Sequence, residues 1–264
     1  MSLSVFWQFV RLRMKERMEY RAAYLLGILA QIWGYGGQYI VVWLLLRRFQ
    51  TIHGWSWPQI AFLYSLDLFT YALGAAFTFS PFSELEQMVE EGTFDGVLVQ
   101  PLNPYLYLVA RKYNVGYAAH VILSGLILIW ATTQLSFHWT ALLFLYFLLI
   151  LVSGVLLQAA FITFLGSLTF IVIRSQMLFG LYYSIKAAIA YPISIYGAAV
   201  QVALTVVFPL AFVNFYPATT LLSKSGQFLP GWIGWVAPLV GPLIFWLSYR
   251  IWTYGMNRYQ SAGG

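Results

Sequence analysis

The chain has 264 residues, of which 61% are hydrophobic and only 8% are charged, whereas an ordinary soluble domain carries about 25% charged residues. This composition excludes such a domain and indicates a polytopic membrane protein. The net charge of +6 does not indicate nucleic-acid binding, because five of the fourteen Lys and Arg residues lie within residues 11–21, where they suit anionic lipid head groups. The chain has no cysteine, and its three histidines lack the spacing of metal ligands.

Residues 1–21 are predicted to form an N-terminal interfacial helix. The apolar face of this helix would hold Leu3, Phe6, Val10 and Met14. Arg13 and Arg17 fall on the apolar side and would have to extend towards the head groups. A basic flank that only sets the membrane orientation is the alternative.

Six membrane-spanning helices fit the apolar runs best, at about 20 residues per crossing. They are predicted over residues 22–46, 60–79, 115–134, 141–173, 198–222 and 232–253. Residues 113–173 contain no charged side chain, and backbone groups in lipid must be satisfied within the chain, which favours helices. The predicted fold is therefore an all-α polytopic membrane protein that forms one domain over residues 1–264.

The distribution of basic residues predicts the orientation in the membrane. Of the fourteen Lys and Arg residues, only Arg47, Arg48 and Lys224 fall in the predicted outer loops. This excess of positive charge on one side places both termini in the cytoplasm.

Residues 80–112 are predicted to be a cytoplasmic loop that contains a short amphipathic helix. Ser83 and Glu86 have the spacing of a capping box. Leu85, Met88 and Val89 form an apolar stripe, and Gly92 has the position of a C-cap. Five of the eight acidic residues lie between positions 84 and 95. A helix with an acidic rim and an apolar stripe suits docking into the groove of a partner protein, although a solvated loop helix has the same pattern.

Residues 175–197 contain Lys186 and Pro192 in a stretch long enough to span the membrane. We expect a helix over residues 175–190 that lies at or partly in the cytoplasmic interface; a full crossing would instead move the C-terminus outside. Further on, Pro209 and Pro217 flank Asn214. Prolines break a helix, so this segment is predicted to be interrupted and able to re-enter the membrane on its outer side.

The segment EEGTFDGVLVQPLNPYLY, residues 90–107, resembles the segment after the second span in permease subunits of type-2 ABC exporters. The matching residues are Glu90, Gly92, Thr93, Leu98 and Pro101. Asp95 and the run Pro-Leu-Asn-Pro at 101–104 are similar to one bacterial branch, as are YPISIYG at 191–197 and FPLAFVNFYPATTLL at 208–222. The resemblance extends over essentially the whole chain.

This resemblance implies a location in a bacterial cytoplasmic (inner) membrane. It also implies a dimer with a second copy or a paralogue, in which each permease couples to a cytoplasmic ABC ATPase. ATP hydrolysis would drive an amphipathic or hydrophobic substrate, such as a drug, lipid, peptide or lipid-linked glycan, out of the cytoplasm or inner leaflet. The expected ATPase-coupling residues are Glu84, Leu85, Met88, Val89, Glu91, Gly92, Thr93, Phe94 and Asp95. The sequence contains no phosphate-binding loop, so we expect no cofactor or catalytic site here and ATP with magnesium in the partner ATPase.

Three polar residues in or near the spans are candidates for the translocation path: Asp67, His120 and Asn214. An ionisable side chain inside a membrane span costs at least about 2.5 to 3.5 kcal/mol on insertion scales and is functional by default. Pairing of Asp67 with His120 is one hypothesis. Two functions compete with ATP-driven export. One is a proton-coupled secondary transporter that uses Asp67 and His120, and the other is a membrane-embedded transferase with His120 as base.

Overall fold

The computed structural model describes residues 3–19, 21–172, 176–224 and 229–260. Residues 1, 2 and 20 of the predicted interfacial helix, and residues 173 and 175 at the ends of two other predicted segments, lie outside this part. The described residues form α-helices and short helical turns. The α-helices are α1 (Leu3–Glu19), α2 (Arg21–Phe49), α3 (Trp57–Ser83), α4 (Leu85–Glu90), α5 (Asp95–Leu98), α6 (Pro104–Arg111), α7 (Ala118–Gln134), α8 (Ala141–Ser167), α9 (Gln176–Ala187), α10 (Ala198–Val202), α11 (Phe215–Leu221) and α12 (Ala237–Met256).

Five helical stretches in the described residues are long and apolar enough to cross a membrane. They are Tyr24–Arg48, Trp57–Glu90, Val115–Gln134, Ala141–Phe170 and Gly231–Met256. A sixth results if Ala198–Val207 and Pro209–Leu221, which are bent by 74° relative to each other, count as one span. The prediction of an all-helical chain with several membrane spans is confirmed.

Polar side chains cap the first turn of two of these helices. The Thr140 hydroxyl accepts a hydrogen bond from the Leu143 amide at 3.2 Å at the start of α8, and Asn103 caps α6 through the Leu106 amide. Such side chains satisfy amide groups that have no partner in the first helical turn. The beginnings of α6 and α8 are therefore fixed by polar residues that precede the helices.

Helix α3 lies at the centre of the molecule and packs against α7 and α8, while α8 also packs along α12. Glycines permit the closest approaches. A Cβ atom at Gly74 of α3 would lie 2.8 Å from the carbonyl oxygen of Val155 in α8, and one at Gly241 of α12 would collide with the Ser153 carbonyl. Small residues let helix backbones approach closely in membranes, so these two positions set the packing around α8.

The N-terminal helix α1 packs against its own chain. Val10 is buried, and the Phe6 ring stacks on Phe77 of α3. Met14 is 41% exposed, so it does not share the buried face as the sequence pattern suggested. Arg13 does not extend freely towards the head groups, because its guanidinium donates to the Arg111 carbonyl and contacts Glu16.

Helix α9 packs against α3, and the two helices run antiparallel. The contacts in order along α9 are Phe179 with Phe79, Tyr183 with Tyr71 and Lys186 with Asp67. They lead from the end of α3 that joins α4 to its middle, and the location of residues 175–190 at or partly in the cytoplasmic interface stays a prediction. Lys186 is accommodated beside the middle of α3 because the Asp67 carboxylate lies opposite to it.

The segment after α9 is broken near a proline, as the sequence predicts. Helix α10 continues as a π-helical turn over Ala203–Val207, and the chain then bends before Pro209–Phe212 and α11. Lys224, just beyond α11, donates to the Gly54 carbonyl at 2.8 Å in the connection between α2 and α3. This contact brings the end of α11 to the beginning of α3.

Candidate functional site: a buried ion pair beside a tyrosine-lined cavity

The middle of α3 contains a buried ion pair with α9. The Lys186 Nζ and Asp67 Oδ2 atoms are 2.6 Å apart, and their side chains are only 12% and 3% exposed. Asp67 Oδ1 accepts a hydrogen bond from Gln158 of α8 at 2.8 Å, and the Tyr182 hydroxyl donates to Gln158 Oε1 at 2.6 Å. Both carboxylate oxygens thus have partners, which a buried charge requires.

Lys186 also contacts an aromatic network on the other side. Its Nζ atom lies 4.6 Å from the centre of the Tyr71 ring, an arrangement that stabilises a cation through the ring quadrupole. The Tyr71 hydroxyl lies 2.8 Å from the Tyr183 hydroxyl and 3.4 Å from the Tyr117 hydroxyl. The ammonium group is therefore held between a carboxylate and a tyrosine ring.

A cavity of about 560 Å³ opens beside this pair, between α2, α3 and α9. Five tyrosines contribute to its wall: Tyr35, Tyr64, Tyr71, Tyr183 and Tyr191. Gly34 and Gly37 of α2 also line it, and their lack of side chains leaves space on that side. The volume lies within the range of about 300–1,000 Å³ that is typical of small-molecule sites. The cavity can therefore accommodate part of a small amphiphile.

Only one of the three predicted pathway residues, Asp67, lines this cavity. The hypothesis that Asp67 pairs with His120 is wrong, since its carboxylate binds Lys186 and Gln158. His120 is buried in α7, with its ring centre 4.2 Å from that of Tyr35. Its Nδ1 atom has no hydrogen-bond partner among the described residues. His120 thus lies near the tyrosine cluster without taking part in the ion pair.

Asn214 joins two elements rather than lining the cavity. Its Nδ2 atom donates to the Ile189 carbonyl at 2.6 Å and to the Leu63 carbonyl at 3.2 Å. Leu63 lies one turn before Asp67 in α3, and Ile189 lies just beyond Lys186. The amide of Asn214 therefore holds together the two segments that carry the ion pair.

Sequence reasoning did not place Lys186, Gln158 and Tyr182 in the site. A signal for Lys186 was present, because a lysine within a span-length apolar stretch needs an anionic partner and Asp67 is the only acidic residue between positions 20 and 83. Gln158 and Tyr182 offered no comparable signal, since amides and tyrosines are tolerated in many packing environments.

A short helix is present as α4 where the sequence predicts an amphipathic one, but its beginning differs from the prediction, and its coupling role stays a prediction. Helix α3 continues through Ser83, whose hydroxyl donates to the Ser80 carbonyl at 3.4 Å. Glu84 then connects α3 and α4 in a helical conformation without a side-chain cap. The Ser83–Glu86 capping box is therefore wrong. Gly92 follows α4 with a φ of 69°, the left-handed conformation expected of a C-terminal glycine.

The apolar stripe of α4 faces the interior of the molecule. Leu85 and Phe94 are fully buried, and Met88 and Val89 are partly buried against the same core. Leu85 and Phe94 therefore anchor the segment and do not themselves contact a docked protein.

The opposite face of α4 is polar and exposed. Glu90, Glu91 and Thr93 are exposed, and Glu91 accepts a hydrogen bond from Gln87 at 2.7 Å. Glu84 forms an ion pair of 2.5 Å with Lys112. Asp95 is partly buried at the beginning of α5. This segment thus presents an acidic surface, and the buried side chains of Leu85 and Phe94 fix it to the core.

The family model for ABC-2 family transporter proteins matches residues 32–263 of the chain. This range includes the ion pair, the cavity and the acidic surface of α4. No curated protein and no solved structure matches the chain significantly. Because the family match extends over most of the sequence and agrees with the multi-span helical fold, the chain belongs to the ABC-2 transporter family, a family of transport membrane components.

Proposed function

We propose that this protein is a permease subunit of an ATP-driven exporter in a bacterial cytoplasmic membrane, with both termini in the cytoplasm. It moves an amphipathic or hydrophobic substrate out of the cytoplasm or the inner leaflet. A separate ABC ATPase supplies ATP hydrolysis, and a second permease, either a copy or a paralogue, completes the assembly.

The observation that carries this proposal is the anchored acidic surface of α4. Leu85 and Phe94 are buried in the same core as α3, so a displacement of α4 is transmitted to α3. Glu90 and Glu91 face outward from this anchor. A rigid connection between a docking surface and a span is what a subunit driven by an external ATPase requires.

The cavity beside α3 supports the transport part of the proposal. Helix α3 connects α4 at its end to Asp67 near its middle, so the docking surface and the cavity share one helix. Movement of α3 relative to α9 would alter the contact between Asp67 and Lys186 and the shape of the cavity wall.

Site-specific cross-linking tests the ATPase docking. The chain has no cysteine, so a single introduced cysteine gives an unambiguous product. We expect Glu90→Cys to cross-link to a co-purified ATP-hydrolysing subunit. Ser136→Cys, which is exposed between α7 and α8, is the matched control and should give no such product. Absence of the product from every exposed position between 84 and 95 would contradict the proposal.

A further inference from the structure

We propose that the cavity binds the anionic head group of an amphiphile, with Lys186 as the counter-ion. This inference rests on the proposed transport function and specifies its substrate class. The head group is a phosphate or a carboxylate, and the apolar tail lies along the cavity wall formed by α2.

The two charged residues of the cavity wall contribute unequally to its surface. Asp67 is 3% exposed and Lys186 is 12% exposed. Both Asp67 oxygens already accept hydrogen bonds, one from Gln158 and one from Lys186. The Lys186 ammonium has three N–H donors, of which one is directed at Asp67. Lys186 therefore has donors that no acceptor among the described residues occupies, whereas both carboxylate oxygens of Asp67 are already used.

A cationic ligand would meet two obstacles in this cavity. The Asp67 carboxylate that would attract it is already covered by Lys186 and Gln158, and the face of Tyr71, which is the natural site for a cation, is occupied by the Lys186 ammonium at 4.6 Å. A phosphate or carboxylate instead forms charge-assisted hydrogen bonds with an ammonium group, which are about twice as strong as neutral ones. The free donors of Lys186, rather than the net charge of the neutral ion pair, therefore favour an anionic ligand.

The remaining wall suits the neighbouring atoms of an amphiphile. Val41, Val42 and Leu68 supply apolar contacts. Added Cβ atoms at Gly34 and Gly37 would meet nothing within 4 Å, so the α2 side of the cavity has room for a chain. An apolar wall with a few convergent polar groups is the usual composition of a ligand site.

The test measures binding to the purified permease alone, in nanodiscs of phosphatidylcholine, by displacement of a fluorescent-tailed alkyl phosphate. We expect dodecyl phosphate to displace this probe about tenfold better than dodecyltrimethylammonium does, which corresponds to about 1.4 kcal/mol. Inorganic phosphate is the third competitor. If it displaces the probe as well as dodecyl phosphate does, the site holds a small anion, and the assignment of an amphiphile is overturned.

Two variants isolate the contribution of the lysine. Asp67→Asn alone releases Lys186 from its carboxylate and should tighten binding of the alkyl phosphate. The double variant Asp67→Asn with Lys186→Gln also lacks a buried unpaired carboxylate and should bind it about tenfold more weakly than Asp67→Asn does. Equal affinity of these two variants, or equal displacement by the anionic and cationic competitors, would overturn the inference.

A pair of glycine substitutions tests the location. Gly37→Trp fills the cavity and should abolish binding, whereas Gly36→Trp, one residue away and outside the cavity wall, should preserve it. Binding that survives Gly37→Trp places the ligand elsewhere. Because this assay contains no ATPase, it is independent of the cross-link from Glu90→Cys. Loss of the cross-link with selective binding retained refutes only the coupling to an ATPase. A retained cross-link without selective binding refutes only the ligand class.

Discussion

Replacing Lys186 by glutamine should destabilise the protein strongly, because the buried Asp67 carboxylate would retain only the hydrogen bond from Gln158. The two side chains are only 12% and 3% exposed, so water from the adjoining cavity can replace the lost ammonium only in part. Removing one partner of a buried ion pair costs about 3–5 kcal/mol.

The structure contains a matched control for this loss. Lys112 and Glu84 form an ion pair of 2.5 Å, close to the 2.6 Å of the buried pair, but their side chains are 21% and 51% exposed. Solvent-exposed pairs contribute about 0–1 kcal/mol. Lys112→Gln should therefore cost far less than Lys186→Gln, although both changes remove one ammonium at a similar distance from a carboxylate.

Thermal unfolding of the purified variants in neutral detergent micelles measures this difference. One kcal/mol corresponds to a shift of about 2–4 °C for a protein of about 150–250 residues. Lys186→Gln should thus lower the unfolding temperature by roughly 6 °C or more, and Lys112→Gln by only a few degrees.

The double variant Asp67→Asn with Lys186→Gln completes the thermodynamic cycle. Removing both charges eliminates the unpaired carboxylate, so most of the lost stability should return, and the two substitutions should be strongly non-additive. The reasoning is refuted if the double variant is as unstable as Lys186→Gln alone, or if Lys112→Gln and Lys186→Gln lower the unfolding temperature equally.

Two glycine positions give further predictions. Gly241→Ala should cost about 1–3 kcal/mol through overpacking, because the added methyl group collides with the Ser153 carbonyl. Gly231→Ala, which has open space around it, should have little effect, and equal unfolding temperatures of the two variants would contradict the close approach of α8 and α12. Gly92→Ala should cost about 1–2 kcal/mol, since its φ is 69° and a Cβ atom is disfavoured in this left-handed conformation. It should also weaken the cross-link from α4. Gly96→Ala is the control for that position; a similar loss in both variants would argue against a specific backbone requirement at Gly92.

Several features of the site were predictable from local sequence. Asp67 stood out because a carboxylate inside an apolar run is costly, and the structure places it in the cavity wall. Gly92 was identifiable because it follows a short amphipathic segment. The direction of the apolar stripe of α4 was not predictable, since Leu85 and Met88 would show the same spacing whether the stripe faced the chain's own core or a partner.

The sequence alone determined that this chain is a helical membrane protein, because long apolar runs must satisfy their backbone groups within a helix when they are in lipid. It also determined where a proline interrupts the later segment. Only the tertiary structure decided the course of α9 and the partner of Asp67. Hydropathy depends on neighbouring residues, whereas the ion pair joins residues 119 positions apart. A lysine in an apolar segment is compatible with a head-group contact or with a buried carboxylate, and the packing of α9 against α3 distinguishes between them.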